Sequence, residues 1–237
     1  MTARTTVVML PGLLCDDEVW QAQRAALADA HCVVPDYGTL ASITTMATRV
    51  LAELPGQQLC VAGHSMGGRV ALEMARLAPE RIAKLALLDT GLTPRPEDAT
   101  GLAEQRQRLE LLAVARAQGM GAMAQRWVRG MVHPDQIDTP VFKAIVAMVE
   151  RKTPDIYQAQ IQALLERPDA RPVLSRLRCP TLLLCGRQDN WSPLSRHEQM
   201  HAMVPGSELV VVEDSGHMTT MEQPAAVNAA LRRWIDA

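Results

Sequence analysis

Aromatic residues are scarce, with one Phe, two Tyr and four Trp among 237 residues. The core must take its bulk from Leu and from 13 Met, whose flexible thioether side chains fill irregular gaps. A surplus of one charge is also missing. Lys+Arg 24 against Asp+Glu 26 leaves a net charge of −2, so no basic field exists to hold nucleic acid or an anionic membrane. No apolar run approaches the roughly 18 residues of a membrane span. There is no CxxC pair, and an odd total of five Cys argues against a disulfide framework or a zinc ribbon. Cys32, Cys60 and Cys185 lie inside apolar runs as small hydrophobes, a usage suited to a reducing cytoplasm. The apolar run after Arg4 looks like a short leader. However, Pro11-Gly12 breaks it and acids follow at once, so the expectation is a soluble cytoplasmic chain.

What is present is ordinary for a globular protein: 48% apolar and 21% charged residues, enough length for one large domain or a domain with an insert. Six short apolar runs recur at Thr6–Leu10, Cys32–Pro35, Leu59–Ala62, Leu85–Leu88, Thr181–Cys185 and Leu209–Val212. Strands buried on both faces read this way. Helix-period segments lie between them, roughly at Asp17–Asp29, Ser42–Glu53, Met66–Leu77, Pro193–Met203 and Pro224–Trp234. The pattern predicts a doubly wound α/β domain with a mostly parallel, six-stranded sheet. One interval, residues 94–171, holds no strand-like run. A structureless loop of that length is implausible, so it is expected to be a helical lobe inserted between the fourth and fifth strands. Residues 1–93 and 172–237 then form the core.

The sharpest chemical signal is Gly63-His64-Ser65-Met66-Gly67-Gly68, between the apolar run QLCVA and the helix-period segment RVALEMARLAPE. A serine hydroxyl that projects from so tight a strand-to-helix turn needs small residues two before and two after it, here Gly63 and Gly67. The turn places the Met66 amide at a helix N-terminus, aimed where negative charge would develop. With this motif the chain resembles the α/β-hydrolase fold family, and the resemblance covers nearly its whole length. The segments TLLLCGRQDNWSP and VVVEDSGHMTTMEQP resemble those that carry the family's acid and histidine.

The resemblance implies an order of Ser, acid, His, met here by Ser65, Asp189 and His217. Asp189 follows a buried strand, and a carboxylate at that edge holds the imidazole tautomer and steadies the imidazolium. Asp89, at the end of the preceding strand, is the alternative acid. His217 takes the hydroxyl proton and returns it to the leaving group. Next to it, Gly216 is expected to leave the ring room. The second oxyanion donor is expected at the Leu13 amide, although Pro11-Gly12 stands where many relatives have His-Gly. His64 is expected to point away from the site, and Cys15 to border the pocket.

His197-Glu198-Gln199-Met200-His201 matches the H-E-x-x-H zinc signature, with Glu213 or Glu222 on offer as a third ligand. It falls in a helix expected on the sheet's flank, away from any cleft, so no metal or cofactor is expected. The apolar pocket is assigned to Leu14, Met66, Trp191 and Met218, with Met120, Met123, Trp127 and Met131 from the lobe. Arg126 and Arg129 are weighed as contacts for an acidic substrate and read instead as solvated. The expected function is hydrolysis of a small carboxylic ester or lactone through an acyl-enzyme on Ser65. The alternatives are a thioesterase or carbon–carbon hydrolase with the same triad, a hydroxynitrile lyase or haloperoxidase type, or a non-catalytic ligand receptor.

Overall fold

The computed structural model describes residues 4–56 and 58–237. Residues 1–3, part of the leader-like stretch, lie outside it. Six strands form one sheet: β1 (Thr6–Leu10), β2 (His31–Val33), β3 (Leu59–His64), β4 (Ile82–Leu88), β5 (Thr181–Gly186) and β6 (Glu208–Val212). Their order is β2-β1-β3-β4-β5-β6, and every neighbouring pair is parallel. Strands β3 and β5 are buried along their whole length, which is why they read as unbroken apolar runs. Each fully buried Leu or Val contributes roughly 1.5–3 kcal/mol relative to exposure.

Helices α1 (Gln21–Ala26), α2 (Ile43–Glu53), α3 (Met66–Leu77), α9 (Leu194–Met203) and α11 (Pro224–Asp236) alternate with or follow the strands. The chain steps from β1 outward to β2, then back across β1 to β3. Right-handed crossovers therefore place α1 on one face, and α2 and α3 on the other. The packing of α1 on α11 and of α2 on α3 agrees with this winding. The reversal of direction falls between β1 and β3, where open α/β sheets leave a crevice beyond the strands' carboxyl ends.

The segment between β4 and β5 is helical: α4 (Ala99–Gln118), α5 (Met120–Val128), α6 (Pro140–Glu150), α7 (Pro154–Leu165) and the short α8 (Arg171–Leu174). Its two ends meet, because the Ala170 amide donates to the Leu92 carbonyl at 2.9 Å. Gly119, with φ of 90°, separates α4 from α5 within what reads as one helical pattern in the sequence. A second departure is at Asp17–Asp29, expected as one helix. A 3-10 turn over Asp17–Trp20 leads into α1, which stops at Ala26 where the fully buried Leu27 leaves helical geometry (φ −108°, ψ 35°). A further short helix, α10 (Thr219–Glu222), lies between β6 and α11. No described helix is long and apolar enough to cross a membrane.

Candidate active site

Ser65 sits between the end of β3 and the start of α3 with φ 54° and ψ −115°, a conformation that a non-glycine residue adopts only under constraint. The constraint is visible in its neighbours. A Cβ on Gly63 would lie 2.4 Å from the Gly67 carbonyl oxygen, and one on Gly67 would lie 2.1 Å from that of Leu10. The turn closes this tightly because β1 and α3 pass against it. The Ser65 amide is tied to the Leu88 carbonyl at 2.9 Å, and its carbonyl accepts from Thr90 Oγ1 at 2.7 Å.

The structure brings Ser65, His217 and Asp189 together. Ser65 Oγ is 2.8 Å from His217 Nε2, and His217 Nδ1 is 2.8 Å from Asp189 Oδ2. Asp189 Oδ1 accepts the amides of Trp191 and Ser192 at 2.8 and 2.9 Å, which fixes the carboxylate's orientation. Burial pushes Asp189 up, but the neighbouring His217 and these hydrogen bonds outweigh it and hold the acid below its ordinary range. The Trp191 ring lies against the imidazole with centroids 5.2 Å apart.

The loop that carries His217 is pinned from two sides. Its amide donates to the Met131 carbonyl at 2.6 Å. The buried Glu222 carboxylate accepts the amides of His133, Gly216 and Met218 at 2.6–3.1 Å. Gly216 serves a different end from the one its position suggested: a Cβ there would lie 2.3 Å from the Met131 carbonyl oxygen, so the small residue admits the lobe's backbone.

Asp89 is also buried, but it faces structure. Its Oδ1 accepts the Gly186 amide at 3.1 Å, and Oδ2 accepts from Thr219 Oγ1 at 2.5 Å. Burial, with the charge of Asp189 nearby, raises it well above its ordinary value and disfavours the ionised form. His64 borders the site with its ring turned toward the histidine loop, where Nε2 donates to the His217 carbonyl at 2.8 Å. Burial, then the nearby His217, pulls it down to about 4.

A cavity of about 380 Å³ opens onto Ser65 and His217. Its wall includes Leu13 and Met66, the two residues expected to supply oxyanion amides. The Met66 amide opens α3, a position without an intrahelical acceptor. The adjacent Leu14 amide is already used, donating to Gln160 Oε1 of α7 at 2.8 Å. Of the expected apolar liners, Met66, Trp127, Met131 and Trp191 reach the cavity. Leu14 and Met218 do not: both are fully buried beneath the site, and Met120 and Met123 pack in the lobe's interior. Cys15 lines the cavity as a neutral thiol, since burial and Asp16 push it up to about 12. Arg126 and Arg129 are exposed, the latter paired with Asp138 at 2.9 Å.

The match to the alpha/beta hydrolase family runs over residues 7–230. The chain belongs to that family. It is 30% identical to a thermophilic esterase from Thermogutta terrifontis, whose malate-bound structure superposes with a TM-score of 0.86, covering 98% of this chain and 89% of that one. It is 27% identical to the pimeloyl-[acyl-carrier protein] methyl ester esterase of Neisseria meningitidis over 74% of this chain and 69% of that protein. The enol-lactonase of Burkholderia xenovorans LB400, at 19% identity, shares the fold with a TM-score of 0.84 over 99% of this chain and 92% of its own.

Other features of this alpha/beta hydrolase differ from, or were not visible in, its sequence. The H-E-x-x-H segment lies on α9, but its two histidines are committed separately. His197 is fully buried, with Nε2 accepting the Thr90 amide at 3.3 Å, whereas His201 Nδ1 meets Ser207 Oγ at 2.8 Å. No cluster of three metal-ligating side chains occurs among the described residues. Sequence reasoning missed Gln160 and the structural role of Glu222, which no motif marks. It also missed the arginines in the cavity wall, Arg69, Arg108, Arg167 and Arg196. Arg69 carried a signal, as a cation within the otherwise apolar opening of the helix after the serine.

Proposed function

We propose that this hydrolase cleaves a small carboxylic ester or lactone through an acyl-enzyme on Ser65. The observation that carries the reading is the unbroken hydrogen-bond chain from Ser65 through His217 to Asp189, opening on a cavity. His217 Nε2 removes the serine proton as Oγ attacks the acyl carbon, then passes it to the departing alcohol oxygen. Asp189 keeps the imidazole in the tautomer that can accept and stabilises the imidazolium. The Leu13 and Met66 amides receive the oxyanion; one such donor is typically worth ~2.7–4 kcal/mol. A water activated by the same histidine then releases the acid. Residues 94–171 act as a cap that covers the reacting groups and limits water. The esterase relatives favour the ester reading over thioester, carbon–carbon or non-hydrolytic chemistry.

The test is the intact mass of the protein after incubation with a fluorophosphonate, beside a Ser65→Ala control. One adduct on the wild type and none on the variant is the expected outcome. An unlabelled, folded wild type would overturn the reading and favour a ligand receptor.

A further inference from the structure

The charges that line the cavity are one-sided. Arg69, Arg108, Arg167 and Arg196 stand against a single carboxylate, Glu104, in a chain whose net charge is −2. Glu104 is already shared: it takes Arg108 at 2.9 Å and Arg167 at 2.6 Å, and although burial opposes its ionisation, these cations hold it at about 2. Arg69 and Arg196 are left without a carboxylate. Arg69 donates to the Thr93 carbonyl at 2.8 Å and Arg196 to the Trp191 carbonyl at 3.1 Å, and neither forms an ion pair within 4.0 Å among the described residues. Arg69 is only 8% exposed.

A buried guanidinium with no counter-ion is costly, and a second one beside it raises the cost. The strain is visible in Arg69, which burial, then Arg167 and Arg196, pull down to about 9. The two side chains meet at Gly91. A Cβ there would lie 2.9 Å from Arg69 Nη2 and 2.7 Å from Arg196 Cδ, so the glycine leaves their approach open. Arg69 is four residues after Ser65 on the helix that the serine opens, a rise of ~6 Å along the axis. An anion held there would lie a short carbon chain away from the carbonyl under attack. Trp127, Met131 and Trp191 supply the apolar wall for that chain.

We propose that the substrate is itself an anion: a small ester or lactone bearing a carboxylate, which Arg69 and Arg196 bind while Ser65 attacks the ester carbonyl. A guanidinium fork suits a planar carboxylate, giving orientation as well as affinity. This rests on the reading of Ser65 as nucleophile and adds the substrate class. A substrate so tethered places its acyl carbon at Ser65 Oγ without help from a large apolar surface.

The experiment compares kcat/KM for the monomethyl and dimethyl esters of succinate, glutarate and adipate. At least one monomethyl ester should exceed its neutral dimethyl counterpart by roughly tenfold or more, and Arg196→Gln or Arg69→Gln should lower that ratio by roughly tenfold or more. In parallel, the free dicarboxylates should raise the Tm of Ser65→Ala, an effect lost in Ser65→Ala/Arg196→Gln. Hydrolysis of the dimethyl esters with equal or better efficiency, and no dicarboxylate-induced Tm shift, would overturn the inference and leave the serine hydrolase standing. A Tm shift lost with Arg196 but no turnover of any ester would keep the carboxylate site and remove the hydrolase.

Discussion

At the scale of single residues, two buried aspartates separate by environment. Asp189 and Asp89 both follow strands at the same sheet edge, and each is a plausible acid from sequence position alone. In the fold, Asp189 meets the imidazole, which favours its ionised form, whereas Asp89 meets an amide and a hydroxyl and is pushed toward the neutral form by burial and by Asp189. Asp189→Asn should therefore cut kcat by about 10⁴-fold, since an amide donor favours the wrong imidazole tautomer. Asp89→Asn should leave kcat within a few-fold. Stability against pH offers a second readout for Asp89. An acid whose folded pKa is raised contributes fully below its unfolded value near 3.8, and that contribution is lost as pH rises toward the folded value. Asparagine has no proton to lose, so the variant should gain Tm relative to wild type as the pH is raised from about 4. A collapse of activity in Asp89→Asn would make it part of the relay. The Ser–acid–His order was legible in the sequence because each residue sits at a strand end with a recognisable local turn. The choice between aspartates and the fate of Leu14 and Met218 were not, because those depend on which way a side chain turns once its strand is packed.

At the scale of elements, the lobe holds parts of the site that no local pattern announces. Helix α7 sends Gln160 to the Leu14 amide, and the segment after α5 receives the His217 amide at Met131. Both contacts join residues more than eighty positions apart, so spacing carries no trace of them. The sheet was legible for the opposite reason: a parallel strand covered on both faces needs consecutive apolar residues, and that is a local property. Helix ends were less so, as at Gly119, where a single positive φ divides one pattern into two helices. Replacing Gln160 by Met keeps the volume but leaves the buried Leu14 amide unpaired, at a cost of ~1–3 kcal/mol. With that anchor gone, the loop bearing the Leu13 amide loses its position. The expected result is a several-fold to tenfold fall in kcat with KM little changed, because the oxyanion forms only after substrate is bound. Gln160→Glu, which keeps an acceptor at the same place, should recover most of kcat. A Gln160→Met enzyme that loses Tm but no kcat would reduce Gln160 to a packing residue.

At the scale of the whole molecule, the fold is assembled on buried histidines that the reaction does not use. His64 underlies the elbow and His197 supports Thr90, which in turn holds the Ser65 carbonyl. Burial pulls both down to about 4 from an ordinary value near 6.5. In the unfolded chain each takes up a proton near pH 6.5, while the folded protein refuses it until about pH 4. Each histidine therefore removes stability as pH drops across that window, by on the order of 3 kcal/mol at full effect. Paired carboxylates act elsewhere: Glu104, held at about 2, loses its contribution only below its ordinary 4.5. Asp89 and Glu222, both raised by burial, act in the same range with the opposite sign, so urea melts at pH 7.0, 5.5 and 4.5 isolate a histidine as the difference between wild type and a variant lacking it. Wild type should lose stability steadily over these three points relative to His197→Gln, which retains an acceptor for the Thr90 amide. A wild type that keeps pace with His197→Gln and with His64→Gln between pH 7.0 and 4.5 would mean that these rings accept protons in the folded state. The elbow would then rest on a charged layer, and Asp89, 3.6 Å from His64 Nε2, would have to be the anion that balances it.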